Sequence, residues 1–131
     1  MSAAVAGTDY LTPATNYSPT KEISGNYTLI TSDIGKTLAA TTNGTTITIP
    51  LDVWTSLPFG AEIAFFRYAL QTNVNLIVDC TAITGLRGCI NGTPTAFKKF
   101  KINNGYDLVV LKKLNSGNSY GMVAGNVEVV S

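Results

Sequence analysis

The residues of this chain best equipped for chemistry are its carboxylates: Asp9, Asp33, Asp52, Asp79, Asp107, Glu22, Glu62 and Glu128. Two of them converging on a sugar would make a glycosidase. The sequence singles out no such pair, and most stand beside turn residues, where an aspartate caps or bends the chain. Serine and threonine are abundant, but a hydroxyl nucleophile needs an activating base. The chain has no histidine and no G-x-S-x-G elbow, and its glycines form no G-x-x-x-x-G-K-[ST] phosphate cradle. Histidine is the usual group titrating near neutral pH. Without it, the expectation is a protein that is not an enzyme and takes no cofactor.

Cys80 and Cys89 enclose the stretch TAITGLRG. Two readings stand. They are reduced thiols in or near the core, as a cytoplasmic product would keep them, or they form a disulfide closing a loop of about ten residues, worth at most roughly 2–3 kcal/mol. A metal site would need further ligands that neither a histidine nor a third cysteine supplies. Lys98, Lys99, Lys101, Lys112 and Lys113 gather around one expected hairpin. A solvated face, or a charged edge that blocks strand pairing, is the plain reading; a contact with an acidic protein surface is the sharper one. The formal net charge of +1 offers little attraction to nucleic acid or an anionic membrane. No apolar stretch approaches the roughly 20 residues of a membrane span.

The elements that would position these groups are strands and turns. Only 13% of residues are charged against 45% hydrophobic, and the polar remainder is mostly threonine, asparagine, glycine and serine. The 131 residues suit one domain with a single core. Residues 1–25 differ in kind: Pro13, Pro19 and scattered small residues surround Tyr10, Leu11 and Tyr17, which follow no period. This segment reads as an extended arm. It lacks the basic and apolar regions of a secretory signal, so synthesis in a cytoplasm is the default expectation.

Residues 26–131 read as the folded domain. Asn43-Gly44 lies between Thr37–Thr42 and the alternating Thr45–Pro50, and Asn-Gly is the preferred pair for a two-residue hairpin turn. Asn103-Asn104-Gly105 predicts a second hairpin between 97–102 and 106–114. Leu51–Pro58, with the lone Trp54, reads as a connection, and 84–95 as a loop with one short strand at most. Turn signals every 8–12 residues and no long helical period predict an all-β domain: an antiparallel β-sandwich, or a barrel or jelly-roll-like variant. Phe65 and Phe66 are adjacent in the strand 61–68, so they point to opposite faces. One face meets the sister sheet; the other suits a second chain.

Residues 27–126 resemble a small all-β domain found in virion proteins of tailed bacteriophages: tail fibres, tailspikes and head-decoration proteins. The matching pieces are Tyr27–Lys36 (YTLITSDIGK), Thr46–Pro50, Phe59–Ile63 and Leu76–Asp79, then a glycine-rich loop to Gly92, Tyr106–Lys112 and Ser119–Asn126. Tyr120 stands where such domains often carry tryptophan, and the cysteine pair is not part of the pattern. The resemblance implies a sandwich that is usually a homotrimer and has no catalytic residues of its own.

From this follows the expected function. The chain is expected to be a trimeric capsid decoration (cement) protein that partners itself and the major capsid protein on the outer surface of the virion, after assembly in the host cytoplasm. An arm presenting Tyr10, Leu11 and Tyr17 would lie on the shell, and Phe65 and Phe66 would pack between subunits. The alternative is a tail-fibre or tail-tip adhesin module that binds host surface glycan, with its polar Thr/Asn faces and exposed aromatics suited to sugar.

Overall fold

A computed structural model describes residues 19–42, 44–68, 76–90, 92–114 and 121–130. Twelve strands and one short helix are set out in it: β1 Thr20–Ile23, β2 Tyr27–Thr28, β3 Thr37–Ala40, β4 Thr45–Thr48, α1 Leu51–Ser56, β5 Glu62–Arg67, β6 Leu76–Asp79, β7 Arg87–Ile90, β8 Thr93–Ala96, β9 Lys99–Ile102, β10 Leu108–Lys113, β11 Gly121–Ala124 and β12 Val127–Val130. One sheet has the order β1-β3-β5-β10-β11 and the other β2-β4-β6-β9-β12, while β7 and β8 form a separate hairpin. The expected β-sandwich is what the chain forms. Its sheets, however, are mixed rather than purely antiparallel: β1, β3 and β5 run parallel, as do β2, β4 and β6.

The mixed pairing follows from where successive strands go. From β1 to β6 each strand joins the sheet opposite its predecessor, so its ladder partner is two strands away in sequence. The turn at Asn43-Gly44 is therefore not the expected hairpin but an arch from the first sheet to the second. Gly44 does have positive φ, at 71°, as Asn-Gly chemistry requires, but that conformation is blind to which sheet the next strand enters. The connection 103–107 is an arch too, from β9 to β10, and there Tyr106 rather than Gly105 takes positive φ, at 64°. Two further expectations are corrected. Thr20–Ile23 is an edge strand with Ile23 buried, so the domain starts inside the segment read as arm. The 84–95 region holds the β7–β8 hairpin.

Alternation inside each strand builds the core. Ile47 and Ile49 are fully buried while Thr46 and Thr48 are half-buried, as a period of two demands. Phe65 of β5 meets Phe100 of β9 across the sandwich, edge to face at 6.2 Å, and Phe97 extends the stack at 6.0 Å. Such ring pairs add about 0.5–1.5 kcal/mol beyond their burial. At the end where β4 stops, Pro50 opens α1 and Trp54 drops fully buried beneath it. Six residues are too few for a helical period to be legible in sequence.

Two devices close that end. Lys113 is buried, and its Nζ donates to the carbonyl oxygens of Trp54 at 2.8 Å and Leu57 at 3.1 Å. These belong to the last turn and cap of α1, where carbonyls lack intrahelical partners and a cation is favoured. The β7–β8 hairpin meets β11 at two glycines: a Cβ on Gly88 would lie 1.9 Å from the backbone oxygen of Gly121. Gly88→Ala must therefore push the hairpin off β11, whereas Gly44→Ala meets no atom within 4 Å and bears only the cost of positive φ. We expect urea unfolding to show a loss on the order of 1 kcal/mol for Gly44→Ala and a clearly larger one for Gly88→Ala.

Candidate functional site

The two outward sheet faces are chemically unlike. On the second sheet, register places Thr46 beside Ile77 and Lys101, and Thr48 beside Asp79 and Lys99. Lys101 pairs with Glu128 of β12 at 3.4 Å. That is a polar surface with charges in balance, suited to water. On the first sheet, the outward positions in register are Glu22, Ala39, Phe66 and Leu108 in one row and Thr20, Thr37, Ala64, Val110 and Ala124 in the next. Leu108 is 53% exposed. The Phe66 and Tyr68 rings meet edge to face at 5.0 Å, and Tyr68 Oη donates to Glu22 Oε1 at 3.1 Å. Tyr68 thus reaches from β5 to β1 across β3, and Ala39 is fully buried although it points outward.

A second apolar surface lies at the end of the sandwich where β1, β3 and β5 begin. Ile30 (50% exposed), Leu51 (46%), Phe59 (69%) and Leu114 (40%) all belong to connections at that end. The Gly60 N–H donates to the Lys113 carbonyl at 2.8 Å, which brings the Phe59 and Leu114 backbones together. Pro19 sits there as well, its carbonyl accepting from the Thr37 N–H at 2.9 Å.

Beside this end lies the most heavily bonded carboxylate. Asp33 is fully buried, and its Oδ2 accepts from Tyr27 Oη at 2.6 Å and from the Ile30 N–H at 3.0 Å. Its Oδ1 faces Lys21 Nζ at 3.6 Å and Lys36 Nζ at 3.8 Å. Burial pushes the Asp33 pKa up, but the Tyr27 and Ile30 hydrogen bonds and the two ammonium charges together outweigh it and hold it below the ordinary 3.8. Oδ2 thus carries the hydrogen bonds and Oδ1 only the two ion pairs, and together they brace β1, β2 and the 3-10 turn Thr31–Asp33. Asp79 is likewise lowered: burial opposes, and the Thr81 hydroxyl and N–H and the Lys99 charge prevail.

The opposite end, where the arches gather, presents Tyr106. Arg67 is buried, and its Nη1 donates to the carbonyls of Ile102, at 2.9 Å, and Asn103. The Tyr106 N–H donates to the Arg67 carbonyl at 2.6 Å. The arch is thereby pinned from within, and the Tyr106 ring is left 65% exposed on a backbone conformation costing on the order of 1 kcal/mol.

The residues singled out in the sequence are distributed as follows. Phe65 is in the core and Phe66 on the outward face, as their adjacency predicts. Tyr10, Leu11 and Tyr17 lie outside the described residues. Cys80 and Cys89 are separate free thiols, the first buried and the second exposed, so the disulfide reading is corrected. Burial, with Asp79 adding to it, pushes the Cys80 pKa up to about 12. The five lysines form no single stripe: Lys113 is in the core, Lys101 pairs with Glu128, and Lys112 with Glu62 at 3.5 Å. Among the described residues no group of three or more His, Cys, Asp or Glu could hold a metal. The exposed ends Ile30, Phe59 and Leu114 escaped sequence reasoning, since each looks like ordinary strand or turn flank. No known family model and no curated protein matches the chain.

Two measurements check this account. A thiol reagent is expected to label Cys89 in the native protein and Cys80 only after unfolding, with the melting temperature unmoved by reductant. For acid, the sign follows from the lowered carboxylates. Between their folded values and 3.8 the unfolded chain binds more protons, so stability present above about pH 4 drains away as pH falls through that window. Asp33→Asn is expected to be less stable than the parent at neutral pH and to lose less on going from pH 5 to pH 2, read by urea unfolding at each pH.

Proposed function

We propose that the chain is a non-enzymatic structural protein of a bacteriophage virion, a trimeric capsid decoration protein that binds the major capsid protein and stabilises the shell from outside. The observation that carries this reading is a coincidence of place. The root of the N-terminal segment at Pro19 emerges at the same end of the sandwich as exposed Ile30, Leu51, Phe59 and Leu114. The apolar end beside that root supplies a contact surface for a shell, to which the segment bearing Tyr10, Leu11 and Tyr17 would add. Support for the shell as partner comes from the resemblance of residues 27–126 to virion domains.

The alternative, a tail module gripping host glycan, is favoured by one feature: Tyr106, an exposed ring on a pinned arch that also carries Asn103 and Asn104, is suited to stacking on a sugar.

Antibody raised to the protein and read by immunogold is expected to mark the heads of virions. Gold confined to tails would favour the adhesin, and unlabelled particles would overturn both readings. Burying Phe59 in a shell contact is worth roughly 1.5–3 kcal/mol. Phe59→Glu is therefore expected to weaken attachment to capsids at least tenfold while leaving the fold intact.

A further inference from the structure

We propose that Asn104 is a site of spontaneous covalent modification: it deamidates through the Gly105 nitrogen, and the isoaspartate that forms releases the arch between β9 and β10 from Arg67. The chemistry is independent of the virion reading and holds wherever the protein acts.

The Gly105 nitrogen gives up its proton and attacks Asn104 Cγ. A C–N bond forms, the bond from Cγ to the side-chain nitrogen breaks, and that nitrogen leaves as ammonia. The product is a five-membered succinimide, which water opens on either side. Breaking the new bond at Cγ gives aspartate. Breaking the old bond at the main-chain carbonyl carbon gives isoaspartate, whose backbone runs through Cβ and Cγ. Water is the only co-reactant, and nothing is oxidised or reduced.

Three features meet the needs of this step at Asn104. The residue is exposed, so water reaches the ring. Among the described residues the Gly105 N–H donates to no backbone carbonyl, so no hydrogen bond must break before its proton leaves. Gly105 has no Cβ to crowd the closing ring, and nucleophile and target sit on adjacent residues, which makes the attack intramolecular. Neighbouring asparagines lack one feature or another. Asn126 is also exposed but precedes the β-branched Val127, and Asn103 precedes a residue with a Cβ. Asn26 is held through Oδ1 by the Thr46 N–H at 3.0 Å.

The consequence follows from where the arch is clamped. Arg67 Nη1 donates to the Asn103 carbonyl, and the Arg67 carbonyl accepts the Tyr106 N–H at 2.6 Å. Only Asn104 and Gly105 lie between these two points. Isoaspartate inserts one carbon there, about 1.5 Å of chain. The clamp made by the guanidinium is the stronger, since its donor is charged, so the neutral Tyr106 N–H bond gives way and the exposed ring moves with it. Aspartate adds a charge without length and leaves both clamps in place.

The full chain is aged at about pH 8 and physiological temperature and read by peptide mapping, with isoaspartyl methyltransferase marking the isoaspartate. Conversion at Asn104 is expected to run about tenfold or more ahead of Asn103 and Asn126, and Gly105→Ala to slow it by about tenfold. Amide hydrogen exchange on the separated forms is expected to show Tyr106 protected in the parent and in Asn104→Asp, and unprotected in the isoaspartate form. Asn104→Gln, whose longer side chain closes the ring poorly, covers the case where Gly105→Ala disturbs the fold: it is expected to stay unmodified and keep Tyr106 protected. Asn104 intact after a free peptide of residues 99–108 has fully converted, conversion no faster than at Asn126, or an isoaspartate form with Tyr106 still protected would each overturn the proposal.

Discussion

Almost everything in this fold depends on one constraint: consecutive strands are laid on opposite sheets, so the chain must cross the roughly 10 Å between sheets at nearly every turn. A hairpin satisfies its backbone with the strand beside it in sequence. An arch leaves that to a strand two elements away, so the ladder depends on a strand that is not adjacent in sequence. The parallel runs β1-β3-β5 and β2-β4-β6 result from this winding. So does the segregation of the connections. Crossings after β1, β3, β5, β9 and β11 fall at one end, while the 3-10 turn, α1 and the β7–β8 hairpin return the chain at the other. The two ends can then differ in chemistry without disturbing the core between them.

The returning end is the more demanding to build, because a helix terminus and a hairpin must seal the sandwich over Trp54. Lys113 does this with a buried charge, whose desolvation would be costly without the Trp54 and Leu57 carbonyls that receive it. Apolar burial around Trp54 and this single cation depend on each other, since removing the helix end would strand the ammonium in the core. Asp33 plays the matching part beneath β1 and β2, drawing Lys21, Lys36 and Tyr27 onto one carboxylate. The polar residues that looked most like chemistry in the sequence are thus largely consumed as braces.

What the sequence made legible was alternation, and with it the all-β sandwich. Thr-Ile-Thr-Ile in β4 and the adjacent Phe65 and Phe66 could be assigned to faces without coordinates. Strand partnership was not legible, because the Asn43-Gly44 signal reports a positive φ at the turn and a hairpin and an arch can share it. Lys113 was hidden among five lysines, although parity held a clue: Lys112 and Lys113 are consecutive on one strand, so one of them had to point inward. Read the same way, Leu108 and Val110 share the outward parity of Lys112, which would have exposed the apolar outer face. The end surface had no such signal, for Ile30, Phe59 and Leu114 come from connections whose spatial neighbours no local period encodes.

The two apolar surfaces differ in kind, and the difference bears on what each suits. The sheet face is periodic, flat and held by ladder hydrogen bonds on both sides of β5, so its side chains are fixed before any partner arrives. The end surface is assembled from a helix, turns and the root of the N-terminal segment, and its shape answers to no repeat. Here the sheet face lies along the strands and the apolar end lies across their tips, so the two are roughly perpendicular and neither obstructs access to the other.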